Sequence, residues 1–222
     1  MRGGPALGFI ALIAVAIGIA AFSSRVHPGG DLPPSEQPDP STQNKPAPPP
    51  PAKPGDPNRA KAFDAVKTGA IRATLEIADR GTIVMEFYPQ AAPKTVAHIT
   101  DLIKKKFYDG IKIHRVEPGF VVQMGDPVTK NLSPDQFQAS GAGSHGSGST
   151  VPLEAKLPHL PYSVGLARSQ SEDSGDSQFY FSLKDNASLD GRYCVFGMVT
   201  QGQDVVDKLQ IGDVIKSFTL TP

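Results

Sequence analysis

Between Pro28 and Pro57 the chain carries too much proline to build a packed core. The run Pro48-Pro49-Pro50-Pro51 lies inside this segment, and Asp, Ser, Gln and Lys fill most of the rest. Proline fixes φ and removes a hydrogen-bond donor, so the segment tends to polyproline II and reads as a semi-rigid spacer. A proline-rich ligand for another domain is the alternative reading. The spacer divides the chain into residues 1–25, a linker over 26–60, and a folded domain over 61–222. Asn58 to Thr68 is a candidate helical lead-in, and the first strand is expected near Ala70.

Ahead of the spacer, Ala6 to Phe22 is nearly unbroken apolar sequence flanked by Arg2 and Arg25. Its length falls near the lower limit for spanning a bilayer, about 17 residues, and above the usual signal-peptide core of roughly 7–15. Two readings compete: an uncleaved transmembrane anchor, or a secretory signal cut after Ala20 or Ala21. The anchor is favoured. Either reading exports the downstream domain, which is then membrane-anchored or secreted and extracytoplasmic. The nearly equal positive flanks leave orientation open.

Lys plus Arg and Asp plus Glu both number 22, so charge supplies no reason to expect nucleic acid as a partner. Cys194 is the sole cysteine, which rules out an intrachain disulfide. Its strand-like neighbours point to a buried, inert thiol.

In the folded domain, Ile71, Ala73, Leu75 and Ile77 alternate with Arg72, Thr74 and Glu76, the pattern of a half-buried strand. Asp79-Arg80-Gly81 is a turn, and Ile83, Met85 and Phe87 alternate again, which predicts a hairpin. Pro93 suits a first helical turn, and Val96, Ile99, Leu102 and Ile103 follow at helical spacing. This helix is expected to plug an open end of the sheet, with Lys104, Lys105 and Lys106 crowding its last turn. Further strands are expected over 163–167, 178–183, 193–199 and 214–220, with a short second helix over 204–209. Ser140 to Thr150, nearly all Gly and Ser around His145, reads as a mobile surface loop. It contains no Gly-x-Ser-x-Gly frame and no ligand set for a metal around His145. Several antiparallel strands and two helices within this length imply a closed or nearly closed antiparallel barrel.

The stretch from Ile113 to Asp126 reads as strand, turn, strand, with Pro118-Gly119 as a type II turn. Its alternation brings Arg115, Phe120 and Gln123 together as one fixed cation, one aromatic wall and one amide beside an apolar slot. By itself Arg115 is more often a surface arginine paired with a carboxylate such as Glu117, and Phe120 ordinary core.

Several strings in order carry a resemblance: His114-Arg115-Val116, Pro118-Gly119-Phe120-Val121-Val122-Gln123, Gly165-Leu166-Ala167-Arg168-Ser169, Ser177-Gln178-Phe179-Tyr180 and Leu189-Asp190-Gly191-Arg192-Tyr193-Cys194-Val195-Phe196-Gly197. From about residue 70 onward the chain resembles the cyclophilins, peptidyl-prolyl cis-trans isomerases. The resemblance implies a mostly β fold, a closed eight-stranded antiparallel barrel capped by two α-helices. It implies Arg115 as the catalytic side chain. It implies that Phe120, Val121, Leu166, Tyr180 and Leu189 line a proline pocket. Gln123, Ala167 and Arg168 would hold the peptide, with His114, Gln178 and Tyr193 at its margins. Leu166 departs from the family's usual methionine, Tyr180 from its phenylalanine and Tyr193 from its histidine. Ser188 stands where animal members carry the tryptophan that contacts cyclosporin, so weak drug binding is expected. The Tyr180 hydroxyl needs a partner, and the Gly/Ser loop is unlike the family's.

The chemistry implied is rotation about an X-Pro amide, opposed by a barrier of about 18–20 kcal/mol. It requires no metal, cofactor or acid–base pair. The implied partners are proline-containing segments of unfolded or exported proteins, the implied state is a monomer, and the implied role is assistance in their folding. A non-catalytic proline-peptide-binding module or chaperone on the same fold is the main rival. An envelope protein whose barrel is only a spacer is the second.

Overall fold

A computed structural model describes residues 55–221. The predicted anchor or signal (1–25) and most of the linker lie outside the described residues. Among the described residues no helix is long and apolar enough to cross a membrane.

The first alternating run forms β1 (Ile71–Ile77), in which Ala73, Leu75 and Ile77 are buried. It pairs antiparallel with β2 (Gly81–Phe87) in the register Ile71 with Phe87 through Ile77 with Gly81. Ile83, Met85 and Phe87 therefore share the core face with β1. The remaining strands are β3 (Arg115–Glu117), β4 (Val121–Met124), β5 (Ser163–Leu166), β6 (Phe179–Ser182), β7 (Val195–Gln201) and β8 (Ile215–Thr221). All eight lie in one antiparallel sheet, ordered β3-β4-β6-β5-β7-β2-β1-β8.

The expected closed barrel is corrected here: the sheet is curled but open. Its end strands β3 and β8 share no ladder; the segment before β3 meets the start of β8 through one antiparallel bridge, Lys112 with Val214, flanked by backbone bonds of Gly110 and Ile111 to Ile215 and of Ile113 to Gly212 and Asp213. Register explains this: with Lys112 opposite Val214, β8 runs on past residues 105–111, of which 105–110 are turns, and β3 runs on past residues 209–211.

Helix α1 (Pro57–Asp64) is capped by the Asp56 carboxylate, which accepts from the Asn58 amide at 2.8 Å. It crosses residue 60, where the sequence reading ends the linker, and packs Phe63 edge-on against Tyr88. Helix α2 (Pro93–Lys104) buries Val96, Ile99, Leu102 and Ile103 in the main core, the predicted stripe. Its N-cap, Ala92, has no polar side chain. The Glu154 carboxylate replaces it, accepting from the Lys94 and Thr95 amides at 3.2 and 2.9 Å. Helix α3 (Phe137–Ser140) is one turn, unforeseen in the sequence. Helix α4 (Gln203–Val206), the expected second helix, is also a single turn, with Val206 buried.

Candidate active site

The turn after β3 closes through the Phe120 amide, which donates to the Glu117 carbonyl at 2.9 Å, and Gly119 takes the positive φ of 67° that this turn requires. Pairing of β3 with β4 then sets Arg115 directly opposite Gln123. One Arg115 nitrogen donates to Gln123 Oε1 at 3.2 Å, and another donates to the Glu117 carboxylate. The guanidinium carbon stands 5.8 Å from the centre of the Phe120 ring. The ion pair with Glu117 is the bland reading of Arg115 made real. It is about half exposed on both sides (47% and 52%), so it is worth little and leaves the cation available to a ligand.

Gln123 passes the orientation inward. Its Nε2 donates to Gln178 Oε1 at 2.8 Å, and Gln178 Nε2 donates to the His145 carbonyl at 2.7 Å. Because Arg115 only donates, Gln123 Oε1 must face it, and the whole amide chain follows. Apolar walls flank this line. Val121, Leu166 and Tyr180 are buried, while Phe120 and Leu189 are half-buried. Tyr180 lies opposite both Gln123 and Gly165. A Cβ on residue 165 would stand 2.3 Å from Tyr180 Cζ, so the glycine makes room for the ring. Tyr193 meets Tyr180 edge-on at 6.4 Å.

Arg168 stacks over Tyr193, 4.7 Å from the ring centre, and donates to the carbonyls of Arg192, Ser169 and Gln170. The Ala167 amide is bonded to the Gln178 carbonyl, so that donor is not free for a peptide. Both His114 ring nitrogens are buried with no partner in good hydrogen-bond geometry, and burial, the largest influence, pushes its pKa down against smaller opposing effects of Asp126 and Gln178. A cleft of about 430 Å³ lies between Gln123, Ala167, Arg168 and Gln178 on one side and Gly143 and His145 on the other. Arg115, Phe120, Val121, Leu166, Tyr180 and Leu189 are not part of that cleft's lining.

The Gly/Ser segment expected as a mobile loop is tied at two carboxylates that sequence reasoning missed. Fully buried Asp126 accepts from the amides of Gly143 (2.6 Å) and His145 (3.1 Å) and faces the His145 ring at 3.3 Å. Asp176 accepts from the Gly148 amide at 2.9 Å and from Ser147, and a Cβ on residue 146 would stand 2.2 Å from its Oδ2. The signal available was Asp126 directly after a strand and glycine, facing a segment rich in small residues. Burial pushes the Cys194 thiol up to about 12, so it is the inert thiol expected. Among the described residues no group of His, Cys, Asp and Glu is placed to hold a metal ion.

Residues 72–221 match the family model described as cyclophilin type peptidyl-prolyl cis-trans isomerase/CLD. A probable peptidyl-prolyl cis-trans isomerase of Brucella abortus is 40% identical over 134 residues, 60% of this chain and 68% of that protein. Peptidyl-prolyl cis-trans isomerase B of Bacillus subtilis is 37% identical over 142 residues, 63% of this chain and 91% of that protein. Among solved structures, a cyclophilin of Hirschia baltica superposes with TM-score 0.57 at 21% identity, covering 67% of this chain and 73% of that one. A Cryptosporidium parvum cyclophilin type isomerase, solved in the presence of the dipeptide Ala-Pro, gives TM-score 0.57 at 20% identity over 68% of this chain and 99% of that one. Those two likenesses speak for the fold. The chain belongs to the cyclophilin-type peptidyl-prolyl cis-trans isomerases.

Proposed function

We propose that this isomerase turns X-Pro bonds by the Arg115 guanidinium acting on the twisted amide. In the planar amide the nitrogen lone pair is delocalised. In the twisted state it localises and accepts a hydrogen bond. A guanidinium donor there binds the twisted state more tightly than the planar one, and only such differential binding accelerates the step. Arginine suits this through its permanent charge and rigid fork of donors. The proline ring is anchored against Phe120, Val121, Leu166, Tyr180 and Leu189 while its flanking carbonyl turns. Gln123 holds the peptide chain in place, and His114, Gln178, Ala167, Arg168 and Tyr193 form its surroundings. The observation that carries this reading is Arg115 fixed by Gln123 and Glu117 beside the Phe120 ring.

The clients we propose are proline-containing segments of exported or envelope proteins, met by a monomeric domain held outside the cytoplasm. The support is the apolar stretch over 6–22, read as an anchor or a signal, followed by the proline-rich spacer. The catalytic test is exchange of an X-Pro test peptide by the full chain and by its Arg115→Ala variant. A loss of about 100-fold in kcat/KM, or about 2.7 kcal/mol, is expected in a variant that stays folded. Equal rates for both would remove Arg115 from the mechanism. A wild type that binds the peptide without accelerating exchange would instead leave a binding module.

A further inference from the structure

The Tyr180 hydroxyl, expected to need a partner, has one. Its oxygen lies 2.9 Å from His159 Nε2, in a side chain with no exposed surface, and the two rings are stacked within 12° of parallel. The other nitrogen, His159 Nδ1, lies 3.1 Å from Asp190 Oδ1, which also accepts from the His159 amide at 2.8 Å. A carboxylate only accepts. In the neutral imidazole, Nδ1 therefore carries the proton and Nε2 presents its lone pair to the Tyr180 O–H. The second oxygen, Asp190 Oδ2, accepts from Arg59 Nη2 at 2.6 Å, while Arg59 Nη1 bonds Asp185. Arg59 has only 4% of its side chain exposed. Burial alone would raise the Asp190 carboxyl, but the bonds from His159 and Arg59 outweigh it and hold it below its usual range.

Arg59 lies on α1, outside the matched residues 72–221. A continuous chain of hydrogen bonds, partly exposed only at Asp190, thus runs from a helix outside the family domain to a wall of the proline pocket. Asp190 also follows Leu189, a second wall residue, directly in sequence.

On the isomerase reading above, we infer that His159, Asp190 and Arg59 are positioning residues that hold the Tyr180 ring in place, and that α1 is part of the isomerase unit. A wall that grips the proline ring does so in the planar and the twisted state alike. Loosening it removes uniform binding, which raises KM and spares kcat, the reverse of the Arg115 effect.

The experiment is a double-mutant cycle on the full chain: wild type, Arg59→Met, Tyr180→Phe and the pair. Each is assayed for kcat and KM on an X-Pro peptide and titrated with Ala-Pro dipeptide by NMR. Arg59→Met should raise KM and the dipeptide Kd about 3–10-fold with kcat within about twofold. With Tyr180→Phe no hydroxyl remains to be held, so Arg59→Met should then change either constant by less than about 1.5-fold, although its melting temperature still falls. An equal effect in both backgrounds means a general structural role and overturns the inference, as does no effect in either. Should Arg59→Met not fold, Arg59→Lys, which keeps the charge and loses the fork, is run through the same cycle, and the same two results support or overturn the inference. A wild type without isomerase activity sinks the functional reading instead, and the dipeptide titration still decides whether Arg59 acts through Tyr180.

Discussion

The two halves of the sheet are built differently. β1, β2, β7 and β8 have seven residues each, and their inward faces join the stripe of α2 in one apolar core. β3 to β6 have three or four residues each, and with their loops they carry the candidate site. Short strands make few ladder bonds, so this half adds carboxylates to its share of the core (Val122, Met124, Val164, Phe179, Phe181): fully buried Asp126 and partly buried Asp176 on the Gly/Ser loop, and partly buried Asp190 on His159. The long-stranded half gains its stability from burial, which is non-directional and tolerant of small shifts. The short-stranded half shares that burial and adds directional bonds around the site, and a peptide-binding surface needs that precision.

The sharpest way to break this contrast is Leu75→Ala, deep under β1 and with no exposed surface. It should cost about 2–5 kcal/mol of stability. Its kcat/KM per folded molecule, measured well below the melting temperature, should match wild type. Arg115→Ala should do the opposite, losing activity while chemical denaturation shows a change within about 0.5 kcal/mol. If both variants lose both properties, the division of labour is wrong.

Asp126→Asn tests the staple. It swaps an acceptor of the Gly143 and His145 amides for a weaker, half-donor group in a fully buried place. We expect a loss of about 1–3 kcal/mol and faster hydrogen exchange confined to residues 141–148, with KM rising more than kcat falls. Uniformly faster exchange over the whole sheet would speak against a local staple.

A smaller effect follows pH. The Asp190 pKa is held below its unfolded value of about 3.9, so this carboxylate stabilises the fold above that pH. The contribution is lost as pH falls below about 3.9 and through the lower folded value. Denaturation midpoints of Asp190→Asn should therefore fall less steeply than wild type below about pH 4. The smallest effect expected is a null: with its pKa near 12 and its side chain buried, Cys194 should stay unlabelled by a thiol reagent at pH 8 until the protein unfolds.

The sequence by itself determined the parts with a local period or a local turn. Alternation over 71–87 made the first hairpin, the spacing of Val96, Ile99, Leu102 and Ile103 made α2, and Pro118-Gly119 placed Arg115 across from Gln123. Only the tertiary structure decided the rest. The cap of α2 comes from Glu154, 59 residues from Thr95, and the partner of Arg59 is Asp190, 131 residues away. The partner of the Tyr180 hydroxyl and the opening of the sheet between β3 and β8 are of the same kind. A hydrogen bond between distant segments leaves no period in either one, because its geometry exists only after burial has brought the two together.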